Sequence, residues 1–251
     1  MSAEILNGQI LRRKTKKVKV GNLYIGGDAD ITIQSMTTTD TRDINATIRQ
    51  VHQLEDAGCD IVRISAPDMD SALALKSIKE NVTVPIVADI HFDYRIAIES
   101  AKYADKIRIN PGNIGSEDKV RQVVNSAKEY GIPIRIGVNL GSLQRDLEIK
   151  YGYTANAMVE SALRHVKLLE SMDFHNMIVS LKASDVPIMV SAFRSFSERC
   201  DYPLHLGVTE SGRKFEGSIK SAIGIGILLS EGIGDTIRVS LSDESVEEVK
   251  A

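Results

Sequence analysis

The chain has 251 residues, 43% of them hydrophobic, enough to bury one large core. With 31 basic and 34 acidic residues its net charge is −3, so nothing draws it generally to nucleic acid or to an anionic membrane. Its two cysteines, Cys59 and Cys200, have neither disulfide-framework nor metal-ligand spacing, and the longest uncharged apolar run, 221–230, is too short to span a bilayer. No apolar signal segment opens the chain, so a cytoplasmic protein is expected.

In chain order, the basic run 12–17 has no aromatic stacking partners and reads as a solvated edge. Residues 18–25 read as a hairpin able to plug a barrel bottom, within an N-terminal extension over 1–30. Short β-branched runs then alternate with amphipathic stretches, the pattern of repeated βα units. Strands are predicted near 31–36, 60–65, 85–90, 105–110, 133–139, 176–182, 203–209 and 235–240. Helices are predicted to begin near Asp43, Asp68, Asp93, Ser116, Thr154, Ser184 and Gly217, several at residues suited to capping. Eight strands over 31–251 point to a (β/α)8 TIM barrel. An open doubly wound sheet competes less well, because no Gly-x-Gly-x-x-Gly follows the first strand. After the eighth strand only 241–251 remain, so the eighth helix is expected to be cut short.

Four arginines, Arg63, Arg108, Arg135 and Arg238, lie inside strand-like segments in nearly the same frame. A guanidinium cannot shed its charge, and stranding one in a core costs several kcal/mol. Strand parity puts Arg63 with Ser65, Asp89 with His91, Arg108 with Asn110, and Arg135 with Gly137 and Asn139. It likewise puts Ser180 with Lys182, His205 with Thr209, and Arg238 with Ser240. Polar groups thus gather at the C-terminal mouth, where barrels of this kind build their sites. Guanidinium forks match phosphoryl oxygens, so a diphosphate suits the set. The alternative is a packed ionic layer in which Asp89, Glu210 and carbonyls neutralise the arginines. Glu210 at the mouth is placed to handle a proton or a hydroxyl, and the connection 140–153 is the candidate lid.

Several motifs together resemble the 4-hydroxy-3-methylbut-2-enyl diphosphate synthase family. They are Gln34-Ser35-Met36-Thr37-Thr38-Thr39-Asp40-Thr41-Arg42-Asp43, Asp89-Ile90-His91-Phe92-Asp93-Tyr94-Arg95, the segments 106–115 and 134–142, and His205-Leu206-Gly207-Val208-Thr209-Glu210-Ser211-Gly212. The resemblance runs from about Gln9 to the last residue. It implies reductive opening and dehydration of 2-C-methyl-D-erythritol 2,4-cyclodiphosphate in isoprenoid biosynthesis, with electrons from flavodoxin or ferredoxin through a 4Fe–4S cluster. It implies that Arg63, Arg108, Asn110, Arg135, Asn139, Lys182 and Ser240 hold the diphosphate. His205 and Arg238, on the same inward parity, complete the expected binding set, with Thr209 near the substrate hydroxyls. Glu210, Asp89 and His91 are the expected catalytic groups. The family carries its cluster ligands, three cysteines and a glutamate, in a C-terminal domain not matched here, and Cys59 and Cys200 correspond to none of them. The expectation is therefore a homodimeric family enzyme of which this chain is the substrate-binding part, binding no metal and unable to turn over alone. Two other readings stay open: a Schiff-base aldolase-type barrel using Lys182, and a non-catalytic phosphate-binding module.

Overall fold

The computed structural model describes residues 5–6 and 9–251. The part of the N-terminal extension at residues 1–4 and 7–8 lies outside the described residues. Eight parallel strands form the barrel: β1 (Thr32–Met36), β2 (Ile61–Ser65), β3 (Ile86–Asp89), β4 (Lys106–Ile109), β5 (Ile134–Asn139), β6 (Met177–Lys182), β7 (His205–Leu206) and β8 (Thr236–Ile237). They pair in the order β6-β5-β4-β3-β2-β1-β8-β7, and a parallel bridge between Val179 and Leu204 joins the two ends. This is a nearly closed TIM barrel, and every predicted strand is found.

The principal helices are α1 (Ile44–Asp56), α2 (Met69–Lys79), α3 (Tyr94–Ser100), α4 (Glu117–Glu129), α5 (Ala155–Glu170), α6 (Val186–Ser197), α7 (Lys214–Ser230) and α8 (Ser245–Lys250). Their starts follow capping chemistry. Asp43 accepts from the Ala46 amide at 2.9 Å, Asp68 from Ser71 at 2.8 Å, and Asp93 from Arg95 at 2.9 Å. Each such cap contributes about 1 kcal/mol. Two starts shift from expectation. The α6 cap is Asp185 rather than Ser184, because the Asp185 carboxylate reaches the Ile188 amide at 2.8 Å. Helix α7 begins at Lys214, ahead of Gly217, after Arg213 and without a side-chain cap.

Apolar residues of the opposite strand parity, such as Val62, Ile64, Ile107 and Ile109, pack with the helices into the main core. A second cluster sits inside the barrel. The hairpin Val18–Val20 and Leu23–Ile25 turns through Gly21, whose φ of +57° suits glycine. It buries Val18, Val20 and Ile25 against Ile61, Val87 and Ile178, the lower inward-facing residues of β2, β3 and β6. The expected plug is in place.

Candidate active site at the barrel mouth

Asp89 organises the centre. It ends β3, where register sets it beside Ser65 and Arg108, and it is buried. Arg108 Nη1 donates to its Oδ1 at 3.2 Å, Arg63 Nε lies 3.6 Å from Oδ2, and His91 Nε2 lies 3.6 Å from the same oxygen. Burial opposes ionisation of Asp89, but Arg63, Arg108, His91 and Arg135 outweigh it and hold its pKa at about 2. Arg63 also donates through Nη2 to Met36 Sδ at 2.8 Å, so Met36 helps orient a cation. Burial lowers the Arg63 pKa to about 10, which leaves it charged at neutral pH.

Arg135 makes no ion pair among the described residues. It is 1% exposed, level with Arg108 in the sheet register, and its Nε and Nη1 have no partner among the described residues. Burial, then Arg63 and Arg108, disfavour its charge, yet a guanidinium binds its proton too tightly to lose it near neutrality. Lys182, at the end of β6 opposite Asn139, likewise has no carboxylate partner among the described residues. Burial, then Arg238, Arg135, Arg63 and Arg108, pulls its pKa well down.

Arg238 is partly neutralised by a residue that the sequence did not reveal. Glu248 on α8 receives its Nε at 3.0 Å and its Nη2 at 2.9 Å, and also accepts from Ser35 Oγ at 2.9 Å and the Leu241 amide at 3.0 Å. The ionic-layer alternative named Glu210, but Glu210 is exposed, has φ +51° and takes no part in these pairs. The buried acids that pair with these arginines are Asp89 and Glu248.

A cavity of about 430 Å³ opens at the mouth, lined among others by Asn139, Ser142, Tyr153, Lys182, Thr209 and Glu210. Four of the expected polar groups, Asn139, Lys182, Thr209 and Glu210, therefore converge there with the lid segment. That segment holds a 3-10 turn (Leu140–Ser142) and a helix (Arg145–Tyr151), tied down by Gln144 Nε2 against His165 Nε2 at 2.6 Å. Asn110 is committed locally, its Oδ1 accepting from the Gly112 amide at 3.1 Å. Ser240 accepts through its carbonyl from Ser211 Oγ. His205 lies apart from the mouth: it starts β7, is 0% exposed, and neither ring nitrogen has a partner among the described residues.

Sequence reasoning also missed Lys106, fully buried on β4 with its Nζ 3.4 Å from Gln34 Oε1. The parity count could have found it, since it lies two residues before Arg108. Gly137 has a steric reason. A Cβ there would fall 2.8 Å from Arg108 Nη2 and 3.0 Å from its Cζ, so the guanidinium crosses directly over the glycine.

A family profile described as the GcpE TIM-barrel domain matches residues 15–251. The chain belongs to the GcpE family. It is 58% identical over 243 residues to the 4-hydroxy-3-methylbut-2-en-1-yl diphosphate synthase (flavodoxin) of Ruminiclostridium cellulolyticum, covering 96% of this chain and 69% of the relative. It is 58% identical over 247 residues to the enzyme of the same name from Listeria monocytogenes, covering 98% and 67%. This GcpE barrel thus spans about two thirds of the length of those relatives. Among solved structures it superposes on dihydropteroate synthase from Stenotrophomonas maltophilia with a TM-score of 0.66 at 13% identity, covering 94% of this chain and 96% of that one. Sialic acid synthetase from Leptospira borgpetersenii gives 0.65 at 13% identity, covering 96% and 85%. At such identity these two show the barrel alone.

The iron–sulfur cluster implied by the resemblance does not fit the side chains described. No group of three or more His, Cys, Asp or Glu among the described residues is arranged to hold a metal ion. The Cys59 thiol is buried against the Ile61 carbonyl and the Ser35 amide, with its pKa pushed up to about 11, and burial also raises that of Cys200. A protonated thiol is a poor iron ligand. No helix among the described residues is long and apolar enough to cross a membrane.

Proposed function

We propose that this barrel binds 2-C-methyl-D-erythritol 2,4-cyclodiphosphate and serves as the substrate-holding part of the enzyme that makes 4-hydroxy-3-methylbut-2-enyl diphosphate. The observation that carries the reading is charge imbalance at the mouth of a GcpE barrel. Four arginines and Lys182 face two buried carboxylates, Asp89 and Glu248. A diphosphate offsets the excess, and at an effective dielectric of about 20 each unlike pair 4 Å apart gains about 4 kcal/mol.

In this reading Arg135 and Lys182, which make no ion pair among the described residues, take phosphoryl oxygens first. Arg63 and Arg108 are held in place by Asp89 and present their remaining N–H groups, and Arg238 does so from its fork on Glu248. Asn139, Thr209, Asn110 and Ser240 supply neutral hydrogen bonds around the ring. Negative charge entering the mouth offsets the field of the neighbouring arginines and favours the charged form of Lys182. Glu210, exposed at the rim, is the group placed to handle a proton at a substrate hydroxyl, and His91 is held toward the same site by Asp89. The relatives' names specify flavodoxin, so flavodoxin is the proposed electron donor of the full enzyme. In this reading the chain binds without turnover, since the described side chains offer no set of cluster ligands. Homodimer formation and a cytoplasmic location are proposed with the family.

Calorimetric titration with the cyclic diphosphate tests the reading. Saturable binding is expected, weakened more than about tenfold, roughly 1.4 kcal/mol, by Arg108→Ala. No binding by the folded chain overturns it. A second reading has one observation in its favour: the lowered pKa and cavity position of Lys182 suit an amine nucleophile. Borohydride trapping of a carbonyl substrate on Lys182 would select it.

A further inference from the structure

Beneath the mouth lies a second polar layer of which the diphosphate reading uses only Arg135. Lys106 precedes Arg108 by two residues on β4, which sets it about 7 Å nearer the barrel bottom. Its Nζ reaches Gln34 on β1, three strands round the ring, so the ammonium lies across the interior rather than along the wall. Lys106, Gln34, Arg135, His205 and Thr236 are each at most 1% exposed. Among the described residues, Gln34 Nε2, Arg135 Nε and Nη1, both ring nitrogens of His205 and Thr236 Oγ1 have no hydrogen-bond partner. No carboxylate among the described residues pairs with Lys106 or Arg135.

We propose that this layer is a binding site for one small monovalent anion of the halide class, held by Lys106 and Arg135 with Gln34 and His205 as neutral donors.

The donor set decides between occupants. The Gln34 amide, the Arg135 guanidinium and one His205 ring nitrogen are unpartnered donors, and a buried donor left unmet costs about 1–3 kcal/mol. A water molecule can accept two bonds and place its own hydrogens on the second His205 nitrogen and Thr236 Oγ1, but it leaves the charges of Lys106 and Arg135 uncompensated. A neutral Lys106 accepts one bond and leaves the amide, guanidinium and imidazole donors as they were. A desolvated halide accepts from all of them and offsets the two cations. Burial, then Arg135 and Arg63, weakens the hold of Lys106 on its proton, and an anion alongside restores it. Size is limited by the surroundings, since the hairpin residues Val18, Val20 and Ile25 seal the interior below. Polyatomic anions belong to the open mouth above. Arg135 is the one cation common to both levels. The deep site does not depend on the identity of the mouth ligand.

Bromide is the probe. The purified chain is melted at constant ionic strength while sodium gluconate is replaced stepwise by sodium bromide. Wild-type crystals grown in bromide are measured at the bromine absorption edge. A saturable rise in Tm of several degrees is expected, together with an anomalous peak within hydrogen-bonding distance of Lys106 Nζ and Arg135. Lys106→Met is expected to abolish the saturable rise. A shift that never saturates, a saturable shift retained in Lys106→Met, or bromide found only at the mouth or on surface lysines each overturns the proposal. If Lys106→Met does not fold, the diffraction from wild type decides alone.

Discussion

Glu248 grips Arg238 as a two-pronged fork, Oε2 on Nε at 3.0 Å and Oε1 on Nη2 at 2.9 Å, from a helix that follows the last strand. The same carboxylate receives the Ser35 hydroxyl of β1, so a single acid fastens α8, β8 and β1. Removing one partner of a buried pair leaves the other charge unmatched, which costs about 3–5 kcal/mol. Glu248→Gln is therefore expected to lower the urea midpoint markedly. Ser35→Ala, which leaves the fork intact, should cost only about 1 kcal/mol.

Arg135 should behave in the opposite way. Its guanidinium is buried without a counter-charge, a cost the apo protein bears for its ligand. Arg135→Met is expected to leave the melting temperature unchanged or raised while weakening diphosphate binding by more than about tenfold. Calorimetry and thermal denaturation on the same sample separate the two effects.

Two buried groups set the acid response. His165 is buried beside Gln144 with its pKa lowered to about 4, chiefly by burial, against about 6.5 when unfolded. The unfolded chain therefore binds the extra proton first. The stability it contributes is present above about pH 6.5 and is lost as pH falls toward 4. Asp89, held at about 2, contributes stability that is present above about pH 3.9 and lost as pH falls through 2. Urea titrations from pH 7 to 4 should show a declining midpoint, and His165→Gln should flatten that decline.

Gly137→Ala tests the crossing of Arg108. The added methyl occupies space now held by the guanidinium, which must swing away from Asp89. Diphosphate affinity should fall at least tenfold, with a smaller loss of stability because the displaced group is the far end of a flexible side chain. Unchanged affinity in the folded variant would show that Arg108 contacts nothing essential.

The barrel was legible because its signals are local. β-Branched runs, the caps Asp43, Asp68, Asp93 and Thr154, and the hairpin at Gly21 each depend on residues only a few positions away. Parity also placed Arg63, Asp89, Arg108 and Arg135 on one interior, which their mutual ion pairs and field effects bear out. Long-range pairing escaped it. Glu248 meets Ser35 across 213 residues, and no local pattern in the last eleven residues marks it as an interior acid. Lys106 escaped it too, since its interior partner Gln34 lies far away in sequence.

The hairpin under the barrel makes the interior a vessel with one door. Whatever enters at the mouth must leave by the mouth, in reverse order of arrival, and nothing can be passed through to the far side. A partner docked over the C-terminal rim would hence govern admission and discharge together. Exchange of ligand would stop whenever that partner stayed in place, whatever the intrinsic affinity of the arginines beneath it.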